Sequence, residues 1–437
     1  MTLPKATDLA IATLGPTHVI SPLRTQGQRF TDETGRVLLS ANLRDLQPFL
    51  DTGQQLPAFE LAGPRDALFF NPQTTTCGIV TCGGLCPGVN DVIRSLVLTL
   101  RYSYGIPRIL GFRYGYAGLS AKNEYTPLEL TPDVVDTIHE QGGTLLGSSR
   151  GPQELDDMIA TLVHHQVAVL FAIGGDGTLR GASALSRAIQ KLNLPIAVIG
   201  IPKTIDNDLD WIERSFGFAT AVEEATKAIE GAHNEARGAW NGIGLVKLMG
   251  RHSGFIAAHA TLANSNVNFC LTPEVPFALA GERGFLQVLE HRLERRRHAV
   301  IVVAEGAGQE LLQDAAGPTR DASGNIRLQD IGPFLRDEII GYFKNRGTEI
   351  TIKYIDPSYM IRSLPANAFD SEFCLLLGQY AAHAGLAGRT DMVVGYWNQY
   401  FTHVPTPVAV AQRKQLDPTG AVWQSVLQAT GQPAVMR

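Results

Sequence analysis

The sequence predicts an α/β fold with mostly parallel sheets and helices on both faces. Short apolar runs alternate with helix-period patterns through the middle of the chain, and glycine-rich or acidic turns stand where those runs end. The 437 residues are enough for about two or three domains.

Composition narrows the function classes. Lys+Arg number 37 against 42 Asp+Glu, a net charge of −5, which argues against a protein that coats nucleic acid. Apolar residues at 44% and charged residues at 18% are a globular balance. The longest unbroken apolar run, Val167 to Ile173, is far shorter than the roughly 20 residues of a membrane span. Met1-Thr2-Leu3-Pro4-Lys5 lacks the basic-then-apolar profile of an export signal, so no membrane partner and a cytoplasmic location are expected. Five cysteines, at 77, 82, 86, 270 and 374, are an odd number without a CxxC pair. They read as structural thiols of a reducing compartment in preference to a disulfide framework or a zinc site.

The elements follow in order. Residues 1–72 read as an extension packed on the main body, with a hairpin turn at Asp32-Glu33-Thr34-Gly35-Arg36 before Val37-Leu38-Leu39. Cys77 to Thr81 is a buried strand, Gly83 to Gly88 a turn, and Val92, Ile93, Leu96, Val97 and Leu100 form one helical stripe. Val167 to Ile173 is a second strand, Gly174-Gly175-Asp176-Gly177-Thr178 its turn, and Leu185, Ile189 and Leu192 share the face of the next helix. Ile196 to Ile201 runs into Pro202-Lys203-Thr204-Ile205-Asp206-Asn207-Asp208. Ile243 to Met249 ends in Gly250-Arg251, Ala299 to Ala304 in Glu305-Gly306, and Ile350 to Ile355 in Asp356-Pro357-Ser358. Arg295-Arg296-Arg297 reads as a helix C-terminus favoured by its dipole. Residues 371–437 read as helices and a weakly structured tail broken by Pro405, Pro407, Pro418 and Pro433.

The polar clusters at strand ends carry the chemistry, because ligands of open parallel sheets bind there. Gly83 to Gly88 has the spacing of a phosphate loop but Val89-Asn90 in place of Lys-Ser/Thr. It is no Walker A motif, and reads either as an anion-binding turn or as a tight strand-to-helix connection. Gly174 to Thr178 lets a large ligand approach the main chain, and Asp176 can hold a phosphate-bound Mg²⁺ or cap the next helix. Asp206 and Asp208, two residues apart at a strand end, offer one base and one second carboxylate, or an Asx turn. Lys203 beside them favours the ionised form.

Together with Met249-Gly250-Arg251 and Glu305-Gly306, these motifs resemble the 6-phosphofructokinase family, in matching order over roughly residues 75–365. Lys203 and the run Lys353-Tyr354-Ile355-Asp356-Pro357-Ser358-Tyr359-Met360-Ile361-Arg362 resemble its long ATP-dependent branch, which is related to the pyrophosphate-dependent enzymes. The resemblance implies two similar αβα (Rossmann-like) domains with the active site in the cleft between them. Residues 73–217 would form an ATP-binding domain completed by part of 361–437. Residues 218–360 would bind the sugar phosphate, and 361–437 would be a return segment and helical C-terminal tail.

It also implies ATP-dependent phosphorylation of fructose 6-phosphate at the 1-hydroxyl, a committed step of glycolysis, by a homodimer or homotetramer with Mg²⁺. Asp206 matches the general base, with Lys203 and Arg251 as catalytic cations, and Asp176 the magnesium-holding carboxylate. Gly83, Arg150, Gly151, Gly175, Asp176, Gly177 and Thr178 match the ATP-contacting loops. Thr204, Ile205, Asp206, Met249, Gly250, Arg251, Glu305, Tyr359, Met360, Ile361 and Arg362 match the sugar-phosphate pocket. Lys353 falls where another family arginine lies and is either a 6-phosphate ligand or a surface lysine.

Two departures stand out. Gly242 occupies the position from which bacterial enzymes of the family lend an arginine across subunits, and Tyr359 replaces a phosphate-binding histidine with another donor. Lys203 is typical of pyrophosphate users. Gly177 argues for ATP, because those enzymes carry an aspartate there that would crowd and repel the α-phosphate. The alternatives are a pyrophosphate-dependent phosphotransferase and a catalytically silent nucleotide-binding subunit. Lipid and NAD kinases share only the Gly-Gly-Asp-Gly turn.

Overall fold

The computed structural model describes residues 3–312 and 326–437. Two compact units divide them. The first holds the chain up to Gly217 together with Ser363–Arg413, and the second holds Phe218–Arg362 with Lys414–Arg437. Among the described residues no helix is long and apolar enough to cross a membrane.

The first unit is built on a nine-stranded sheet. At its centre Met392–Trp397, Ala197–Pro202, Val167–Gly174, Thr76–Thr81 and Arg108–Phe112 lie side by side, all parallel. The middle three are almost wholly buried, which is why they read as continuous apolar runs without alternation. Helices Val89–Leu98 and Asp176–Lys191 follow two of them. Val92, Ile93, Leu96 and Val97 of the first are fully buried, each contributing ~1.5–3 kcal/mol. An aspartate at Leu96 would break that face. Helix Ala368–Leu386 returns to cover the same side, capped by Asn367, whose side chain accepts from Asp370 N at 2.9 Å. It approaches so closely that a Cβ on Gly378 would lie 2.4 Å from Ser95 Oγ.

Residues up to 72 are knitted into this sheet. Arg36–Leu38 and Ala58–Leu61 are two of its strands, the latter antiparallel to Tyr400–Pro405. The turn at Asp32 to Gly35 is therefore not a hairpin turn: the strand after it pairs with Ala58–Leu61, across an intervening helix, Leu43–Thr52. A buried charge cluster fixes the strands. Glu60 accepts from His403 Nδ1 at 2.8 Å, Arg389 Nε at 3.1 Å and Arg65 Nη2 at 3.2 Å. Burial alone would raise Glu60, but His403, Arg389 and Arg65 hold it well below the ordinary carboxylate range.

The expectation of helices and loose tail over 371–437 needs correction. Met392–Trp397 and Tyr400–Pro405 are strands forming a two-residue hairpin through Asn398 and Gln399, whose φ values are 47° and 68°. Pro405 closes the second strand instead of breaking a helix. The helical end is present as Ala421–Thr430.

The second unit carries a four-stranded parallel sheet in the order Phe269–Leu271, His298–Ala304, Gly242–Leu248, Thr351–Ile355. Helices Phe255–Ala263, Phe285–Arg296 and Ile331–Asn345 accompany it, and Arg297 ends the second of these in a left-handed cap, as the arginine run predicts. The last segment closes this core: Met436 is buried, and Gln432 bonds both the N–H and the carbonyl of Cys270 at 2.6 and 3.2 Å. All five cysteines are buried thiols outside any disulfide. Burial pushes the Cys82 thiol up to about 11.

Candidate active site

In the first unit three loops leave the carboxyl ends of the neighbouring strands Thr76–Thr81, Val167–Gly174 and Ala197–Pro202. Hydrogen bonds lace them into one surface. Cys82 N donates to Ile173 O at 3.0 Å, and Lys203 N to Gly174 O at 2.9 Å. A fourth loop joins through Gly83 N to Ser149 O at 3.1 Å, Ser148 Oγ to Gly83 O at 2.5 Å and Thr81 Oγ1 to Gly147 O at 2.6 Å. Lys203, 7% exposed, sends its ammonium to Gly84 O at 2.6 Å. Gly83 has φ 86°, and a Cβ there would meet that ammonium at 3.5 Å; a Cβ on Gly84 would meet Arg150 Nη2 at 3.6 Å. Gly83, Lys203, Arg150 and neighbouring Gly151 are thus brought together. Arg150 itself is exposed.

The turn after Val167–Gly174 opens helix Asp176–Lys191 with Gly175 at its N-cap. The first-turn N–H groups and the positive helix end therefore face the strand-end surface. At Gly177 an added Cβ would meet nothing within 4 Å. The fold does not require glycine there; the position simply borders open space. Thr178 is 8% exposed and folds back over Gly174, while its carbonyl accepts from Tyr116 Oη at 2.7 Å.

Asp176 is pinned through one oxygen. Its Oδ2 faces Arg180 Nε at 3.2 Å and Arg413 Nη2 at 3.6 Å, whereas Oδ1 is buried without a hydrogen-bond partner. A bare, buried carboxylate oxygen carries a desolvation cost that a donor or a cation would relieve. Asp208 is satisfied on both oxygens, by Thr204 Oγ1 at 2.6 Å and Arg413 Nη1 at 3.1 Å. Asp206 sits half-buried on a turn held by the hydrogen bonds of its neighbours. Asn207, at φ 53°, accepts from Ser215 N at 3.0 Å and donates to Glu213 O at 3.1 Å. Ser215 Oγ also donates to Thr204 O at 2.5 Å. Ile205 packs against the core.

The second unit gathers its own cluster at the same end of its sheet. Glu305 N donates to Leu248 O at 2.8 Å and Gly306 N to Gly250 O at 3.0 Å. The two loops lie back to back, a Cβ on Gly306 falling 2.0 Å from Arg251 O, and Gly250 needs its φ of 129°. Arg251 Nη2 donates to Ile326 O at 2.6 Å. Buried Met249 accepts from Arg362 Nε at 3.3 Å through its sulfur. Arg362 ends the short helix Ser358–Arg362, in which Ile361 is 1% exposed and anchors the turn while Tyr359 and Met360 are 81% and 73% exposed. Lys353 is not brought to this cluster. It pairs in register with Gly244, at the middle of Thr351–Ile355, and its ammonium lies 4.0 Å from Glu235.

Arg413 and Arg180, which hold Asp176, are not among the residues the sequence singles out. Arg180 lies one helical turn after Asp176 and could have been found by that spacing. Arg413 carries no local signal, since its partners Asp176 and Asp208 are more than 200 residues away in the chain.

Residues 76–385 match the family profile described as phosphofructokinase. The chain is 49% identical over 98% of its length to an ATP-dependent 6-phosphofructokinase of Amycolatopsis methanolica, covering 95% of that protein. It is 44% identical over 97% of its length to the ATP-dependent 6-phosphofructokinase of Trypanosoma brucei brucei, covering 87% of it. Among solved structures, a pyrophosphate-dependent phosphofructokinase from Marinobacter aquaeolei shares the fold with a TM-score of 0.67 at 21% identity, over 82% of this chain and 91% of that one.

Proposed function

Because this chain belongs to the phosphofructokinase family, we propose that it transfers the terminal phosphoryl group of ATP to the 1-hydroxyl of fructose 6-phosphate. The products are fructose 1,6-bisphosphate and ADP. The observation that carries the donor choice is the open space at Gly177. A nucleotide's inner phosphates need that space, and a carboxylate would fill it with like charge. Lys203, the feature favouring pyrophosphate, is engaged on the Gly84 carbonyl, a loop-mounting role that serves either donor.

Phosphoryl transfer needs positioning and charge neutralisation more than covalent help from the protein. The first unit supplies the donor half. Gly83, Gly151 and Gly175 to Thr178 present main chain to the phosphates, and Arg150 and Lys203 supply positive charge. Asp176 fits Mg²⁺ through its partnerless buried Oδ1. When bound, the ion would neutralise charge on the phosphates. Asp206, on its turn beside Thr204, accepts the proton of the 1-hydroxyl. The second unit supplies the acceptor half: Arg362 and Tyr359 hold the 6-phosphate, Glu305 accepts from sugar hydroxyls, and Arg251 faces the transferring oxygens. Lys353, exposed beside Glu235 in mid-strand, is either a further 6-phosphate ligand or a surface lysine in this reading. The buried thiols suit a reducing cytoplasm, and a homodimer or homotetramer is the assembly we expect.

The test is purified protein with ATP, Mg²⁺ and fructose 6-phosphate. Fructose 1,6-bisphosphate should accumulate one-for-one with ADP; ATP consumption without that product would refute the reading.

A further inference from the structure

We propose that Lys247, a side chain inside the second unit, is a positioning residue that holds Arg362 in place and so sets affinity for the sugar-phosphate ester. This rests on the reading of Arg362 given above.

A helix as short as Ser358–Arg362 has no stability of its own, so its position must come from what grips it. At one end Ile361 is buried and Arg362 reaches Met249. At the other, Asp356 Oδ1 accepts from Ser358 N at 3.1 Å and Ser358 Oγ at 2.6 Å, a side-chain cap on the first residue. Asp356 is itself tethered. Its other oxygen, Oδ2, lies 2.9 Å from Lys247 Nζ. The same ammonium lies 2.9 Å from Asp330 Oδ1, which in turn caps helix Ile331–Asn345 by accepting from Gly332 N at 3.2 Å.

One lysine therefore joins two helix starts to the strand Gly242–Leu248, whose next residues are Met249, Gly250 and Arg251. Burial opposes the Lys247 charge, but the two carboxylates outweigh it and hold the group above lysine's ordinary range. Without Lys247, Asp330 and Asp356 face each other as uncompensated like charges. Asp356 then turns to water, Ser358 loses its cap, and Arg362 is freed at one end.

Lys247→Met should raise the KM for fructose 6-phosphate roughly tenfold, the scale of a lost cap, while the KM for ATP stays at its wild-type value. Lys247→Arg, which keeps the charge, should restore most of the loss. A double-mutant cycle with Arg362→Ala separates positioning from general weakening. If Lys247 acts through Arg362, adding Lys247→Met to Arg362→Ala changes the sugar KM little further. Additive effects, or equal losses for sugar and ATP, overturn the proposal. If Lys247→Met fails to fold, Ser358→Ala weakens the same relay with almost no change in volume, removing the 2.6 Å Oγ bond to Asp356 and leaving the 3.1 Å N–H bond. It should raise the sugar KM alone by a few-fold, and an unchanged sugar KM overturns the relay. An Arg362→Ala variant with wild-type sugar KM would overturn the phosphate-binding reading together with this proposal. A strong Arg362→Ala effect with an additive Lys247→Met overturns the relay by itself.

Discussion

Replacing Gly177 by aspartate puts a side chain where a Cβ finds no protein atom within 4 Å, so the fold accepts it and only a ligand feels it. The variant should lose at least about tenfold in kcat/KM for ATP, the scale of one misplaced charge at a phosphate, while fructose 6-phosphate KM changes far less. Steady-state kinetics with each substrate varied decides it, and unchanged ATP kinetics would defeat the crowding argument. Asp206→Asn keeps the size of the side chain but exchanges one acceptor oxygen for a donor amide and cannot take a proton. Its kcat should fall by at least about 10²-fold, and a near-normal kcat removes Asp206 as the base. At this scale the residues legible in the sequence are those whose partners are local. Asp176, Gly177 and Asp206 each stand in a short run whose spacing states a chemistry. Arg413 and Lys247 were silent, because their meaning lies in carboxylates brought near by the fold.

Elements were legible where one physical signal dominated. The parallel strands are apolar without interruption because both faces are covered, and their ends are marked by glycine or aspartate. The hairpin Met392–Trp397 and Tyr400–Pro405 was missed because its nearby prolines read as helix breakers and Asn398-Gln399 lacks the glycine of the usual two-residue hairpin signal. The return helix Ala368–Leu386 carries a titration that can be followed. His383 is partly buried, with Nδ1 2.7 Å from Tyr104 Oη, and desolvation, with Arg65 and His403, pushes its pKa down to about 3. The folded state therefore prefers the neutral ring. Its contribution is complete above the unfolded pKa near 6.5 and is lost as pH falls through about 3. Thermal melts from pH 7 to 3 should show His383→Gln with a shallower decline than the wild type; parallel curves would contradict this.

For the whole molecule, the chain's path into two units matters more than any single motif. Ser363–Arg413 returns to the first unit, and Lys414–Arg437 closes the second. Neither destination is written locally; each depends on a remote partner, such as Gly378 for Ser95 or Gln432 for Cys270. The opening residues likewise complete the large sheet through a charge cluster that no local spacing announces. Glu60→Gln should leave Arg389, Arg65 and His403 undercompensated and lower unfolding stability by about 3 kcal/mol or more, measured by urea denaturation. A loss under about 1 kcal/mol would make the cluster peripheral. The proposal is that the surface around Asp176, Gly177 and Lys203 takes a nucleotide and that its last phosphoryl group passes to fructose 6-phosphate. The most direct measurement is fructose 1,6-bisphosphate formed by the purified protein with Mg²⁺ and either ATP or pyrophosphate as sole donor. Turnover is expected with ATP and not with pyrophosphate; turnover with pyrophosphate and none with ATP would overturn the choice of donor.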